Sequence, residues 1–344
     1  MTQVVKFIIA ICLIIMAMPY TFSQQRSLTF NQDGEFKIVQ FTDIHFKYNS
    51  EKSDSSLKLM EEIIEIEKPD LVVLTGDIIT SKKTHEAWLK LANTLSSTKT
   101  HWTVTLGNHD VEYEMTGEEI MSLLTEQPYC LAENGPKEIS GAGNYILTIN
   151  SSKTKKISAL LYFLDSQTSF KPKSELGTYN WVDFDQINWY REKSAEFTKQ
   201  NNDSPYPALA FFHIPFPEYN EVIESPTTVG VYEEKVCSPD INSGLYLAML
   251  ESKDVMGTFV GHDHVNNYIG NLRGICLAYG QATGRESYGK IGKGARVIVL
   301  HENERKFDTW IVNLYNCDPE KNIWKKREYK KDLSVTYPDS FIKK

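Results

Sequence analysis

The chain is organised as short apolar runs that alternate with segments of helical periodicity. Runs rich in Val, Ile, Leu and Phe predict strands at Phe36–Phe41, Leu71–Leu74, Trp102–Leu106, Ile157–Leu164, Ala208–Phe212, Val255–Val260, Ile275–Tyr279, Arg296–Leu300 and Phe307–Leu314. Helices are predicted at Ser53–Glu67, Thr84–Ser96, Gly117–Thr125, Phe184–Lys199 and Ser243–Leu250. In the first of these, Leu57, Met60, Ile63 and Ile64 recur at helical spacing and define a buried face. Nearly continuous apolar strands alternating with helices indicate an α/β fold whose sheets are buried on both faces.

The residues just after the strands are more informative than the strands themselves. Phe36–Phe41 runs into Thr42-Asp43-Ile44-His45, and Leu71–Leu74 into Thr75-Gly76-Asp77. Trp102–Leu106 runs into Gly107-Asn108-His109-Asp110, Ala208–Phe212 into His213, and Val255–Val260 into Gly261-His262-Asp263-His264. Asp-x-His or Gly-Asp taken singly is an ordinary strand exit, because Asp and Gly are common turn formers. A histidine pair flanking one residue is much harder to obtain from turn chemistry. Five strands ending in oxygen or imidazole donors point to one shared site, since ligands of open α/β sheets bind beyond the carboxyl ends of strands.

In their order these residues resemble the signature of the calcineurin-like metallophosphoesterases: Asp-x-His, Gly-Asp, Gly-Asn-His-Asp/Glu, a lone His and Gly-His-x-His. The resemblance spans residues 43–264, about two-thirds of the chain. The runs Phe211-Phe-His-Ile-Pro-Phe-Pro-Glu218 and Gly261-His-Asp-His-Val-Asn266 resemble a narrower branch, the plant-type "inactive purple acid phosphatase" group and its fungal phosphatase relatives. The implied fold is a pair of mixed β-sheets packed face to face with helices outside, a four-layer sandwich in one domain over residues 24–344. The implied cofactor is a pair of transition-metal ions, and manganese, iron or zinc would each accept such ligands. By the resemblance, Asp43, His45 and His264 hold one ion, Asn108, His213 and His262 hold the other, and Asp77 bridges them. Two such ions can hold a water as hydroxide and clamp an in-line phosphoryl displacement.

The same resemblance implies a phosphate-ester substrate, with monoester hydrolysis as the first reading. A phosphodiesterase or nucleotidase on the same metal core is the alternative within enzymes, and a binding module without turnover the alternative outside them. His109, next to Asn108, is expected to face the substrate rather than an ion, as a stabiliser of charge or a proton donor. Asp110 either orients that imidazole or is simply a turn residue. The stretch Tyr279-Gly-Gln-Ala-Thr-Gly284-Arg285-Glu-Ser-Tyr288 either lends Arg285 to phosphate or connects two strands. Purple enzymes carry a tyrosine three residues after the bridging Asp; Thr80 stands there in this chain, and His45 replaces their glycine, so a non-purple centre is expected.

Composition changes the picture in three places. Lys6 followed by the apolar run Phe7–Met18 and the small residue Ser23 reads as a secretory signal peptide over residues 1–23, with an uncleaved anchor as the alternative. Export, periplasmic or extracellular, is therefore expected, with no stable membrane span left after cleavage. The net charge of −8 argues against a nucleic-acid partner, and the basic stretch Lys321–Lys331 reads as a solvated edge or tail. Cys130, Cys237, Cys276 and Cys317 lack C-x-x-C spacing, which argues against a thiolate zinc site. Their even number permits disulfides in an exported chain without selecting a pairing. Oligomeric state is not legible.

Overall fold

The computed structural model describes residues 28–318 and 323–341; the expected signal segment lies outside them. In chain order the first elements are β1 (Leu28–Thr29), β2 (Glu35–Phe41), α1 (Glu51–Glu67), β3 (Leu71–Thr75), α2 (Thr84–Ser97), β4 (His101–Thr105) and α3 (Gly117–Thr125). There come next β5 (Tyr145–Asn150), β6 (Ile157–Phe163), the small hairpin β7 (Ser169–Ser174) and β8 (Gly177–Tyr179), α4 (Phe184–Gln200), β9 (Ala208–Phe211), α5 (Tyr219–Ile223) and α6 (Leu245–Ser252). The chain closes with β10 (Val255–Val260), β11 (Ile269–Leu272), β12 (Ile275–Tyr279), β13 (Lys293–His301), β14 (Phe307–Asp318), β15 (Ile323–Lys326) and β16 (Lys331–Tyr337).

Two mixed sheets result. One runs β1-β5-β6-β9-β10-β12-β11, and the other runs β15-β14-β13-β2-β3-β4 with β16 also paired to β14. Side-chain alternation explains how the first sheet is covered. Leu161, Phe163, Leu209, Phe211, Phe259 and Cys276 turn inward to a core shared with Ile38, Ile298 and Phe307 of the other sheet. The intervening Leu160, Tyr162, Ala210, Phe212 and Leu277 turn outward, where Ile187 and Tyr190 of α4 and Leu245 and Met249 of α6 cover them. The outer face of the second sheet receives α1 and α2, whose buried stripes include Met60, Ile63, Trp88 and Leu91. The helix-sheet-sheet-helix layering expected from the sequence is present.

Register decides where the site must form. β2, β3 and β4 are parallel neighbours, with Phe41 opposite Leu74 and Thr75 opposite Thr105. Their carboxyl ends are level, so the segments beginning at Asp43, Asp77 and Asn108 emerge side by side. In the other sheet β9 and β10 are parallel with Phe211 opposite Phe259, which brings His213 beside His262. The two ends are stitched together across the core: Gln40 Nε2 donates to the Val260 carbonyl at 3.1 Å and Thr105 Oγ1 to the Leu164 carbonyl at 2.8 Å.

Every strand and helix expected from the pattern is present, with ends shifted by up to three residues except in β14, which runs four residues further. The strands that the pattern did not disclose are β1, β5, β7, β8, β11, β15 and β16. β5 alternates buried and half-buried positions, and its Thr and Asn residues hide it among loops. β16 has no buried position and exists by pairing with β14. In the described part of the basic stretch β15 lies at the sheet edge, where Lys326 pairs with Glu62 and Arg327 with Asp332 at 2.9 Å. Cys130, Cys237 and Cys276 are free thiols.

Candidate metal centre

The backbone leaves its usual range where the strands end. Asp43 (φ 51°), His45 (φ 48°), Asp77 (φ 51°) and His262 (φ 80°) all lie in the left-handed region. Asp and His tolerate it better than most residues, but each such position costs on the order of 1–3 kcal/mol when held by its surroundings. This conformation folds each segment back so that its side chain points over the sheet end. Gly76 (φ 78°) serves the same purpose and has a second reason to lack a side chain. A Cβ there would meet the His213 ring at 2.5 Å, so the Gly-Asp dipeptide is built around the histidine of the other sheet.

Two groups of donors converge. Asp43, His45, Asp77 and His264 form one, and Asp77, His213 and His262 form the other; within each, the donor atoms lie within 4.8 Å of one another. Asp77 belongs to both. His45 Nε2 lies 3.0 Å from His264 Nε2, and His264 Nε2 lies 3.3 Å from Asp43 Oδ1. On the other side His213 Nε2 lies 3.2 Å from His262 Nδ1 and 3.2 Å from Asp77 Oδ2. The Thr75 carbonyl, 2.9 Å from His213 Nδ1, can only accept, so Nδ1 carries the proton and Nε2 is left to face the centre. Asn108 Oδ1 is buried without a hydrogen-bond partner. A buried polar atom left this way calls for an ion or a water.

The protonation pattern follows from burial and from charge. Burial drives the His45 imidazole down to about 4 despite the neighbouring Asp77 carboxylate. Burial, reinforced by His213, drives His262 down to about 3. Both rings are therefore neutral lone-pair donors at neutral pH. Burial would depress His213 as well, but the Asp77 charge outweighs it and lifts the ring to about 10. Burial would raise Asp77, yet His213 and His45 hold it well below the ordinary carboxylate range. Asp43 is likewise held at about 2 against the effect of burial, chiefly by His264. Two ionised carboxylates, the neutral imidazoles of His45 and His262, an unpartnered amide oxygen and His213, whose Nε2 proton an ion would displace, form a donor set that suits first-row transition ions, and these residues fit a metal pair.

His109 stands apart from these donors. Its ring is 39% exposed, and its Nε2 lies 3.9 Å from Asp77 Oδ2, at the open side of the centre. Its Nδ1 is paired with Glu112 Oε2 at 2.8 Å. The possibility that Asp110 orients this ring is therefore corrected. Asp110 is buried, and its carboxylate accepts from the backbone N–H groups of Ile78, Ile79 and Gly107, each at 2.8 Å. It ties the turn after β3 to the turn after β4, and burial followed by the Asp77 charge pushes its carboxyl up to about 7. Arg285, also considered for phosphate, is drawn toward α1. Its Nη1 donates to Ser55 Oγ of α1 at 3.2 Å, and its backbone N–H donates to Ser56 Oγ at 2.9 Å. At Thr80 the hydroxyl donates to the His45 carbonyl at 3.1 Å, so this position offers no phenolate.

Several groups around the donors were not found in the sequence. Asp263, between the two histidines of the last motif, accepts from Tyr279 Oη at 2.5 Å and from the Cys237 backbone N–H at 3.2 Å, which pins that loop. Tyr288 stacks on His264 with ring centres 3.9 Å apart, and Tyr179 of β8 meets His262 edge-on at 4.6 Å. Only Glu112 had a local signal, a carboxylate three residues after His109 on the same turn.

The family model described as Calcineurin-like phosphoesterase matches residues 36–266. Among curated relatives, "Probable inactive purple acid phosphatase 29" of Arabidopsis thaliana is 34% identical over 333 residues, covering 87% of this chain and 85% of its own length. "Phosphatase DCR2" of Saccharomyces cerevisiae is 31% identical over 318 residues, 81% of this chain and 54% of its own length. Among solved structures, a dimetal phosphatase from Danio rerio shares the fold with a TM-score of 0.56 at 13% identity, covering 88% of this chain and 99% of that one.

Proposed function

The chain belongs to the calcineurin-like phosphoesterase family, and on that premise we propose that it is an exported, dinuclear metal-dependent hydrolase of phosphate monoesters. The observation that carries this reading is the position of Asp77, whose carboxylate is common to two converging donor groups, each drawn from both sheets. Asp43, His45 and His264 would hold one ion, and Asn108, His213 and His262 the other. Bound ions would supply Lewis-acid polarisation of the phosphoryl group and lower the pKa of an attacking water.

The remaining work falls to the chain. In hydrolysis the bond between phosphorus and the ester oxygen breaks, water adds to phosphorus, and the departing oxygen needs a proton. His109 Nε2, at the open side of the centre, is placed to donate it, and the ring regains a proton from solvent. All seven donors are present, which favours turnover over a binding module of the same fold, although the Arabidopsis relative carries the word inactive in its name. The N-terminal pattern around Lys6 and Phe7–Met18 supports export; intact mass from the native host should then place the mature N-terminus near Gln24 or Gln25.

The test is a hydrolysis screen of mono- and diesters after reconstitution with manganese, iron or zinc, beside metal analysis of wild type and Asp77→Asn. Wild type should bind two ions and prefer monoesters. The variant should lose most of its metal and, because the ions contribute several kcal/mol, roughly 10³-fold in rate. A preference for diesters would overturn the monoester reading, and full activity of the variant with one bound ion would overturn the bridging role.

A further inference from the structure

We propose that Glu112 is the positioning residue of His109, fixing the ring so that Nε2 is the atom presented to the substrate. The turn Gly107–Glu112 is itself held in place. Asp110 Oδ2 accepts from the Gly107 N–H at 2.8 Å, Asp77 Oδ1 from the His109 N–H at 2.8 Å, and the His109 carbonyl from the Glu112 N–H at 3.3 Å. With the backbone fixed at both ends, the imidazole retains only its own rotation and flip. Glu112 removes that freedom. Its Oε2 lies 2.8 Å from Nδ1, and a carboxylate oxygen can only accept, so Nδ1 must carry the proton.

The opposite nitrogen is thereby turned toward the metal centre, 3.9 Å from Asp77 Oδ2, with the ring centre 5.5 Å from that of His45. A flip exchanges Nδ1 with Cδ2 and Nε2 with Cε1, so a flipped ring would set a carbon against Glu112 and take Nε2 from its place at the centre. Glu112 belongs to neither group of converging donors, and it reaches the centre through the His109 ring. Asp110 cannot take over the task, because its carboxylate is engaged by three backbone N–H groups.

The catalytic consequence rests on the hydrolase reading above, and the test separates the two. In the zinc-loaded protein, which is diamagnetic, ¹⁵N imidazole NMR should find His109 protonated at Nδ1. Glu112→Ala should release the ring to a mixture of tautomers, while Glu112→Gln, whose amide oxygen also accepts, should keep Nδ1–H. On an alkyl phosphate, Glu112→Ala should lower kcat by about 10²-fold, the scale of a misplaced catalytic group, with KM and metal content unchanged. Glu112→Gln should restore most of that loss. A wild-type ring unprotonated at Nδ1, or a Glu112→Ala protein that keeps full kcat or sheds its metals, would overturn the proposal. If the wild type cleaves no ester, the hydrolase reading fails while the NMR result still decides the role of Glu112.

Discussion

Two loops of this protein leave strands at the same end of the molecule, and both open on a glycine and carry ionisable side chains. Gly107–Glu112 comes after β4, and Gly280–Gly289 after β12. The first uses its backbone to fix itself and its side chains to reach the centre: Asn108 leaves an unpartnered amide oxygen there, and His109 stands at its open side. The second does the reverse. The Thr283 and Gly284 N–H groups donate to the carbonyls of Thr42 and Asp43, so its backbone supports the Asp-x-His segment from behind. Arg285 and Glu286 turn away to Ser55 and Ser50 at the start of α1. A charged residue in a glycine-containing loop is thus no guide to chemistry by itself. Apart from Tyr288, whose ring stacks on His264, the two loops differ in whether main chain or side chain faces the donors.

The sharpest way to break this contrast is to remove the side chain that reaches in. His109→Ala should keep its metals and its fold but turn over an alkyl phosphate about 10²–10⁴-fold more slowly. The deficit should shrink for p-nitrophenyl phosphate, whose leaving group needs no proton at neutral pH. Equal losses on both would make His109 a stabiliser of phosphoryl oxygens instead, and loss of metal would make it a ligand.

A medium effect is expected from the supporting loop through its backbone. A Cβ on Gly284 would collide with the carbonyl of Ile44, between Asp43 and His45. Gly284→Ala should therefore lower stability by about 1–3 kcal/mol, as overpacking does, and weaken metal binding in parallel. Thermal unfolding with and without added metal reads both quantities; an unchanged melting temperature would mean that the loop yields and does not brace the first motif. The smallest effect should come from Arg285→Ala. Losing one hydrogen bond to Ser55 costs about 1 kcal/mol of stability, and KM should stay within about twofold. A rise in KM of about tenfold or more would show that Arg285 swings onto phosphate and would erase the distinction between the loops.

Much of the centre is legible in the chain itself, for a specific reason. Asp43, His45, Asp77, Asn108, His213, His262 and His264 each sit directly after an apolar strand, and a strand exit is a local property of the chain. The apolar rhythm alone indicates an α/β fold, and the two packed sheets follow from the family resemblance that the order and residue types of those exits carry. Local pattern stops at side chains whose partners come from elsewhere. Asp110 adjoins His109 in sequence, yet its carboxylate goes to backbone N–H groups that β3 brings from 31 and 32 residues away. Glu112, three positions after His109 along the turn, takes the ring that Asp110 does not reach. Gly76 reads as a routine turn residue until β9 delivers the His213 ring against it. Strand exits are set by short-range hydrophobic periodicity, which the chain carries in itself. Which carboxylate meets which imidazole is set by sheet register and by packing between residues far apart in sequence, and that is decided only when the two sheets close on one another.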